Sequence, residues 1–293
     1  MHILTRSLIG AAMLALPATA LADAGDSPTL KRIDERGVVN VGHRESSVPF
    51  AYMDDNGEPI GYTLDVCAKI VEGIGAELGR DDLEVNFVPV TGQTRIALMA
   101  NGTIDIECGS TTNNLTRQRQ VAYLPTTFIT GTKVAVAADS DAATLKEMEG
   151  KILGVSAGTT NERAIKKAIE DQGLDIRIQE FKDHAQGWLA METGRIDAYG
   201  SDDVLLYGLI SKAREPGAWK VVGDYLSFDP YAIMVPRNDS TFQRLGTAVL
   251  AELMRTGELE EIYAKWFDPG PTGIAMPITD TLKTAFQIQA LPE

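Results

Sequence analysis

The chain has little cysteine, little histidine and a shortage of positive charge, and each shortage excludes something. Cys67 and Cys108 are the only cysteines, with no CxxC pair and no Cys/His spacing suited to zinc. Each falls inside an apparent regular element rather than in a framework of loops, so two buried free thiols are expected. Asp and Glu number 41 against 27 Lys and Arg, a formal charge of −14. Such a surface disfavours nucleic acid and anionic membranes as partners. There is no GxSxG elbow, no P-loop and no context for a cysteine nucleophile, so the common catalytic motifs are missing and no cofactor is expected. Asp54-Asp55-Asn56-Gly57 reads as a turn rather than a calcium loop.

What is present begins with an export signal. Arg6 precedes a short apolar run, Leu8 to Leu16, followed by Pro17 and the small-x-small signal Ala20-Leu21-Ala22. The run is roughly half of the ~20 residues that a membrane span requires. Cleavage is expected after Ala22, with neither cysteine near enough for a lipid anchor. No later stretch is long and apolar enough to span a membrane. Residues 1–22 carry one Arg and no acid, so the mature chain becomes slightly more acidic. Its length suits two lobes better than one core.

Strands alternate with helical segments for most of that length. Val38–Gly42, Leu83–Val90 and Ile104–Cys108 read as strands, separated by helices over Tyr62–Leu78 and Arg95–Asn101. The middle repeats the grammar, with strands at Ile152–Val155, Ile176–Phe181 and Ile196–Tyr199. Its helices fall at Thr159–Glu170, His184–Glu192 and Asp202–Lys212. Gly102-Thr103-Ile104-Asp105 recurs as Gly194-Arg195-Ile196-Asp197, each time closing a helix and opening a strand. Two similar α/β lobes follow, each a mainly parallel sheet flanked by helices. The chain returns through a strand at Tyr231–Val235, helices at Phe242–Thr256 and Leu259–Trp266, and a wrapping loop at Pro269–Pro277. Crossovers near Gly131–Ala135 and Ser227–Ala232 give lobe 1 as residues 23–132 and 231–293, and lobe 2 as the insert 133–230. Two crossover strands allow hinge closure.

Ligands of open α/β sheets bind beyond the carboxyl ends of the strands. The residues expected there are Arg44, Arg95, Ser110, Thr112 and Arg117 from lobe 1, and Thr160, His184 and Asp202 from lobe 2. Arg117 can grip a carboxylate as a bidentate fork, and Ser110 and Thr112 add donors. Thr159 and Thr160 sit at a helix N-terminus, where backbone N–H groups favour an anion. Asp202 can accept from an ammonium. Arg44, Arg95 and His184 are then left over, a surplus of positive character that suits a second carboxylate on a free amino acid. His43 is read as structural. Glu45 or Glu107 beside His184 leaves acid–base chemistry open as a rival.

At these residues the sequence resembles the polar amino-acid-binding proteins of ABC uptake systems, solute-binding protein family 3, and among them those that take glutamate and aspartate. The resemblance is carried by Val41–Phe50, Asn101–Thr103, Glu107–Asn114 with Arg117, Gly158–Thr160, Lys182–His184, Glu192–Arg195, Asp202-Asp203 and Ile262–Phe267. It implies a two-lobed periplasmic binding protein type II fold, a monomer in the periplasm, and an inner-membrane ABC permease as partner. It also implies that Arg117, Ser110 and Thr112 hold the α-carboxylate and Asp202 the α-ammonium. Arg44, Arg95 and His184, supported by Thr160, would hold the side-chain carboxylate. The same fold hosts a few enzymes, such as cyclohexadienyl dehydratases. Gly92 departs from the family, which has Ser three residues before the Arg of this loop. Loss of that hydroxyl widens the expected ligands to glutamine and asparagine. Ala232 also departs, since relatives have Tyr-Gly there.

Overall fold

Residues 26–269 and 272–292 are described in the computed structural model of the chain, so the leader expected at residues 1–22 lies outside the described residues. Helix α1 (Pro28–Arg36) is started by Ser27, whose side chain accepts from the Leu30 N–H. It leads into β1 (Val38–His43) and a small antiparallel sheet of β2 (Ser46–Ser47), β3 (Ala51–Met53) and β4 (Pro59–Ile60). Next come α2 (Tyr62–Leu78), β5 (Glu84–Pro89), α3 (Arg95–Ala100), β6 (Ile106–Glu107) and the long β7 (Val121–Thr130). The chain crosses into β8 (Thr132–Ala137), β9 (Ile152–Ser156), α4 (Thr160–Gln172), β10 (Arg177–Phe181), α5 (His184–Glu192), β11 (Ala198–Asp202), α6 (Asp203–Lys212) and β12 (Trp219–Val222). It returns through β13 (Asp229–Pro236), α7 (Ser240–Thr256), α8 (Glu258–Phe267) and α9 (Asp280–Gln289).

Two five-stranded sheets result, ordered β5-β1-β6-β13-β7 and β10-β9-β11-β8-β12. The strands of the first lie at 38–130 and 229–236, those of the second at 132–222. Each sheet has a parallel trio, β5-β1-β6 or β10-β9-β11, and an antiparallel side. The sheets are therefore more mixed than the strand–helix grammar implies. The long strands that carry the chain between lobes, β7, β8 and β13, pair antiparallel.

The repeated Gly-x-Ile-Asp motif has the same physical job in both lobes. Gly102 and Gly194 adopt φ of +76° and +69°, which lets the backbone reverse after α3 and α5 without a Cβ clash. Three residues on, Asp105 accepts from the Asn40 N–H at 2.9 Å while its own N–H donates to the Asn40 carbonyl. Asp197 makes the same reciprocal pair with Ile152, accepting at 2.8 Å. Each Asp thus ties the incoming strand to the middle strand of its sheet's parallel trio.

The first lobe is packed around an aromatic cluster of Phe50, Tyr62, Phe128, Tyr231, Tyr263 and Phe267. Val204 and Leu205 of α6 join that core although they belong to the second sheet's unit. Among the described residues no helix is long and apolar enough to cross a membrane. The expected free thiols are not found. Cys67 on α2 and Cys108 after β6 form a disulfide, with Cα atoms 6.3 Å apart. Their elements lie 41 residues apart in sequence and meet only when α2 packs on the sheet. The bond anchors the start of the Gly109–Thr112 loop to the first lobe's core.

Candidate functional site

The loops at the carboxyl ends of β1, β5 and β6 meet those of β9, β10 and β11 across one interface. Arg117 Nη2 reaches the Gly158 carbonyl at 3.5 Å, and the Thr112 and Thr160 hydroxyls lie 3.1 Å apart. The Ala185 N–H donates to Ser46 Oγ at 3.3 Å on another part of the interface. β13 holds the lobe 1 loop in place: Ala232 N–H donates to the Thr111 carbonyl, and Asn113 N–H donates to that of Pro230.

Seven of the eight predicted residues are buried, and Thr160 is half-buried. Arg44 follows β1 and is 1% exposed, yet its Nη2 has no hydrogen-bond partner. Arg95 opens α3, and its Nη1 donates to the Ser110 carbonyl at 3.1 Å and to the Thr111 hydroxyl at 2.5 Å. Its Nε is buried without a partner. Arg117 donates from Nη1 to the Thr112 carbonyl at 2.9 Å. Burial, and then the neighbouring Arg95, lower both the Arg44 and the Arg117 guanidinium to about 10. His184 opens α5, with Nδ1 3.1 Å from the Tyr199 hydroxyl. Burial followed by the Arg44 and Arg95 charges push it well below the usual imidazole range. It therefore brings a hydrogen-bonding ring to the site rather than the third cation expected from sequence.

One carboxylate answers this cluster from lobe 1. Glu107, fully buried on β6, accepts from the Thr111 hydroxyl at 2.6 Å and lies 3.9 Å from Arg95. Its other oxygen has no hydrogen-bond partner. A packed interior that leaves a guanidinium nitrogen unpaired is built to receive an acceptor. Asp202, at the end of β11, is a different environment. It accepts from Asn161 at 2.8 Å and from the Tyr231 hydroxyl, and burial, then Asp229, push it up to about 8. Asp229 accepts in turn from the Thr112 hydroxyl at 2.9 Å. The adjacent Asp203 is spent on structure, accepting from Thr130, Tyr225 and the Val204 N–H.

Sequence reasoning missed Thr111, Tyr231, Asn161 and Asp229, which orient the predicted residues. No local pattern marks them, because their partners lie on other elements. His43 is buried between the Arg44 carbonyl and the edge of Phe87. Glu45 is exposed and lines a separate cavity of about 550 Å³ with Asp54, Asp55, Trp188, Glu192 and Lys212. Its rim carries four carboxylates, the wrong sign for an anion. Gly92 also differs from expectation. The volume a serine side chain would take at position 92 is held by the Ala157 carbonyl, 2.5 Å from an ideal Cβ. The missing side chain leaves backbone contact rather than space for a larger ligand.

With this geometry in view, the likeness to known proteins is extensive. The chain is 39% identical over 263 residues to the glutamate/aspartate import solute-binding protein of Salmonella typhimurium, covering 88% of this chain and 87% of that one. It is 38% identical over 285 residues to the L-glutamate/L-aspartate-binding protein of Pseudomonas aeruginosa, covering 96% and 93%. Among solved structures, an ancestral arginine-binding protein bound to arginine superposes with a TM-score of 0.71 at 27% identity, over 79% of this chain and 99% of that one. The sequence pattern of one family matches residues 39–269. The chain belongs to the bacterial extracellular solute-binding proteins, family 3.

Proposed function

We propose that this protein captures L-glutamate or L-aspartate in the periplasm by closing its two lobes, and delivers it to an inner-membrane ABC permease. The observation that carries the ligand class is the buried guanidinium of Arg44, unpaired at Nη2, beside Arg95 and His184. An anionic side chain satisfies that demand, whereas an amide leaves the charge uncompensated. The protein's overall charge of −14 opposes an acidic ligand, so the guanidinium groups of Arg44 and Arg95 supply the local attraction. Relatives named for glutamate and aspartate, at near full-length coverage, support the same reading.

The roles follow from position. Arg117, Ser110 and Thr112 take the α-carboxylate, and Asp202 takes the α-ammonium. Arg44, Arg95 and His184 take the side-chain carboxylate, with Thr160 closing over it from lobe 2. The division into lobe 1 (23–132 and 231–293) and lobe 2 (133–230) is supported by sheet membership, since the chain passes between the sheets at 130–132 and 222–229. A monomer that binds without turnover suffices for this role. A micromolar Kd needs about −8 kcal/mol, within reach of a few charge-assisted hydrogen bonds at about 1.5–3 kcal/mol each.

Calorimetry on two variants tests the assignment. Arg117→Ala is expected to lose binding of every amino acid. Arg44→Gln is expected to weaken glutamate and aspartate by about tenfold or more. Normal glutamate binding by Arg117→Ala refutes the roles, and turnover of a prephenate-like substrate by the purified protein refutes the transport reading.

A further inference from the structure

Two glycines meet back to back where the lobes touch. Gly92 lies in the loop between β5 and α3, three residues before Arg95. Gly158 lies in the turn between β9 and α4, directly before the Thr159 cap. An ideal Cβ on Gly92 would stand 2.5 Å from the Ala157 carbonyl oxygen and 3.1 Å from Thr159 Cγ2. An ideal Cβ on Gly158 would stand 2.8 Å from both the carbonyl carbon and the carbonyl oxygen of Gly92, and 2.9 Å from Gln93 Cα. Most of these obstacles are main-chain atoms of the other lobe. A side chain can rotate away from a methyl group; a β-turn held by its own hydrogen bonds cannot.

A second contact of the same kind lies along the interface. Gly208 is inside α6, where glycine is normally unfavourable by about 1 kcal/mol relative to alanine. An ideal Cβ there would stand 2.2 Å from the Val48 carbonyl oxygen of lobe 1. At both places a glycine faces a peptide carbonyl of the opposite lobe.

We infer that Gly92 with Gly158, helped by Gly208 against Val48, forms the stop that sets how far the lobes close. The bare backbones let the loops bearing Arg95, Arg117 and Thr160 approach to hydrogen-bonding distance. This rests on the proposal that closure captures an amino acid. A methyl at position 92 forces the loops apart by roughly 1 Å to reach ordinary van der Waals separation, a gap that dispersion and hydrogen bonds do not span. The Thr112–Thr160 contact at 3.1 Å and the Arg117–Gly158 contact at 3.5 Å lie beside this point and are lost first.

Gly92→Ala isolates the effect, because Gly92 is not among the glycines with positive φ and alanine fits its backbone. Gly217→Ala is the control, at a glycine with open space around its Cβ position and no positive φ. Both variants and the wild type are titrated with the twenty amino acids, and small-angle scattering is recorded with and without the tightest binder. Gly92→Ala is expected to keep its ligand-free melting temperature and lose affinity by about tenfold or more. It is also expected to stay more expanded than wild type when saturated, while Gly217→Ala matches wild type throughout. Gly208→Ala reaches the same end from the other contact, with weaker binding despite its better helix propensity. Wild-type affinity and compaction in Gly92→Ala overturn the stop. A wild type that prefers a non-acidic amino acid overturns the ligand assignment and leaves the closure comparison standing. A wild type that binds none of the twenty overturns both.

Discussion

Ligand capture should release a proton from Asp202. The carboxyl is buried, near Asp229 and Asp203, and its affinity for a proton is raised from 3.8 to about 8. At pH 7 it is then about nine-tenths protonated, and ionising it costs about 1.4 kcal/mol. An ammonium arriving within hydrogen-bonding distance favours the carboxylate and expels the proton. Observed affinity should therefore rise with pH, by about ninefold from pH 6 to 7 and about fivefold from 7 to 8, then level off. His184 acts in the opposite sense. A ligand carboxylate raises its depressed affinity for a proton, which gives uptake, and only toward the acidic end. Asp203, Asp229 and Tyr231 remain on the protein in both states. Calorimetry at pH 7 in phosphate and in Tris reads the proton count from the difference in enthalpy. About 0.9 proton released per ligand is expected. Asp202→Asn should abolish the release. Tyr231→Phe should shift the pH dependence to higher pH, because the tyrosine hydroxyl bond lowers the Asp202 value. The same group shapes ligand-free stability. Its contribution is full below pH 3.8 and is lost as pH rises through about 8, since the folded form holds the proton more tightly than the unfolded form. An enthalpy independent of buffer, or net uptake at pH 7, refutes the placement of the ammonium at Asp202.

Replacing both cysteines with serine should lower unfolding free energy by about 4 kcal/mol, from closure entropy across the 41-residue separation, and lower the melting temperature by about 10 °C. Because Cys108 precedes Gly109–Thr112, affinity should fall as well; a denaturation midpoint insensitive to reductant refutes the stabilising role.

Much of the fold was legible because its signals are local. The Tyr62–Leu78 and His184–Glu192 helices fall where apolar spacing and flanking residues put them. The Gly-x-Ile-Asp pair marked equivalent turns in both lobes. The sequence pattern does not mark β7 or β8 as elements, although the crossover expected at Gly131–Ala135 falls between them and on the start of β8. Their partners, β13, β11 and β12, are distant in sequence, so no short window shows the pairing. Helices α1 and α9 went unread. Gln289 of α9 pairs with both backbone groups of Thr126 on β7, a contact that only the folded chain creates.

At the site, strand ends located the arginines, hydroxyls, His184 and Asp202, because ligand loops follow a positional rule. What sequence could not give was the balance of charge among them. Glu107 against Arg95 is one such long-range meeting, and Asp229 against Asp202 and the two arginines around His184 are others, which set the protonation of Asp202 and His184. The disulfide is of the same kind. Gly92 read as a lost hydroxyl, and only the opposing Ala157 carbonyl turns it into a contact surface.

The most direct test of the central claim is titration of purified protein comprising residues 23–293 with L-glutamate, L-aspartate, L-glutamine, L-asparagine, L-arginine and L-lysine by calorimetry at pH 7.5. Glutamate or aspartate should bind with a Kd of about micromolar or tighter, near −8 kcal/mol, and at least about tenfold better than either amide or either basic amino acid. Tighter binding of an amide or a basic amino acid, or no binding of either dicarboxylate, contradicts it.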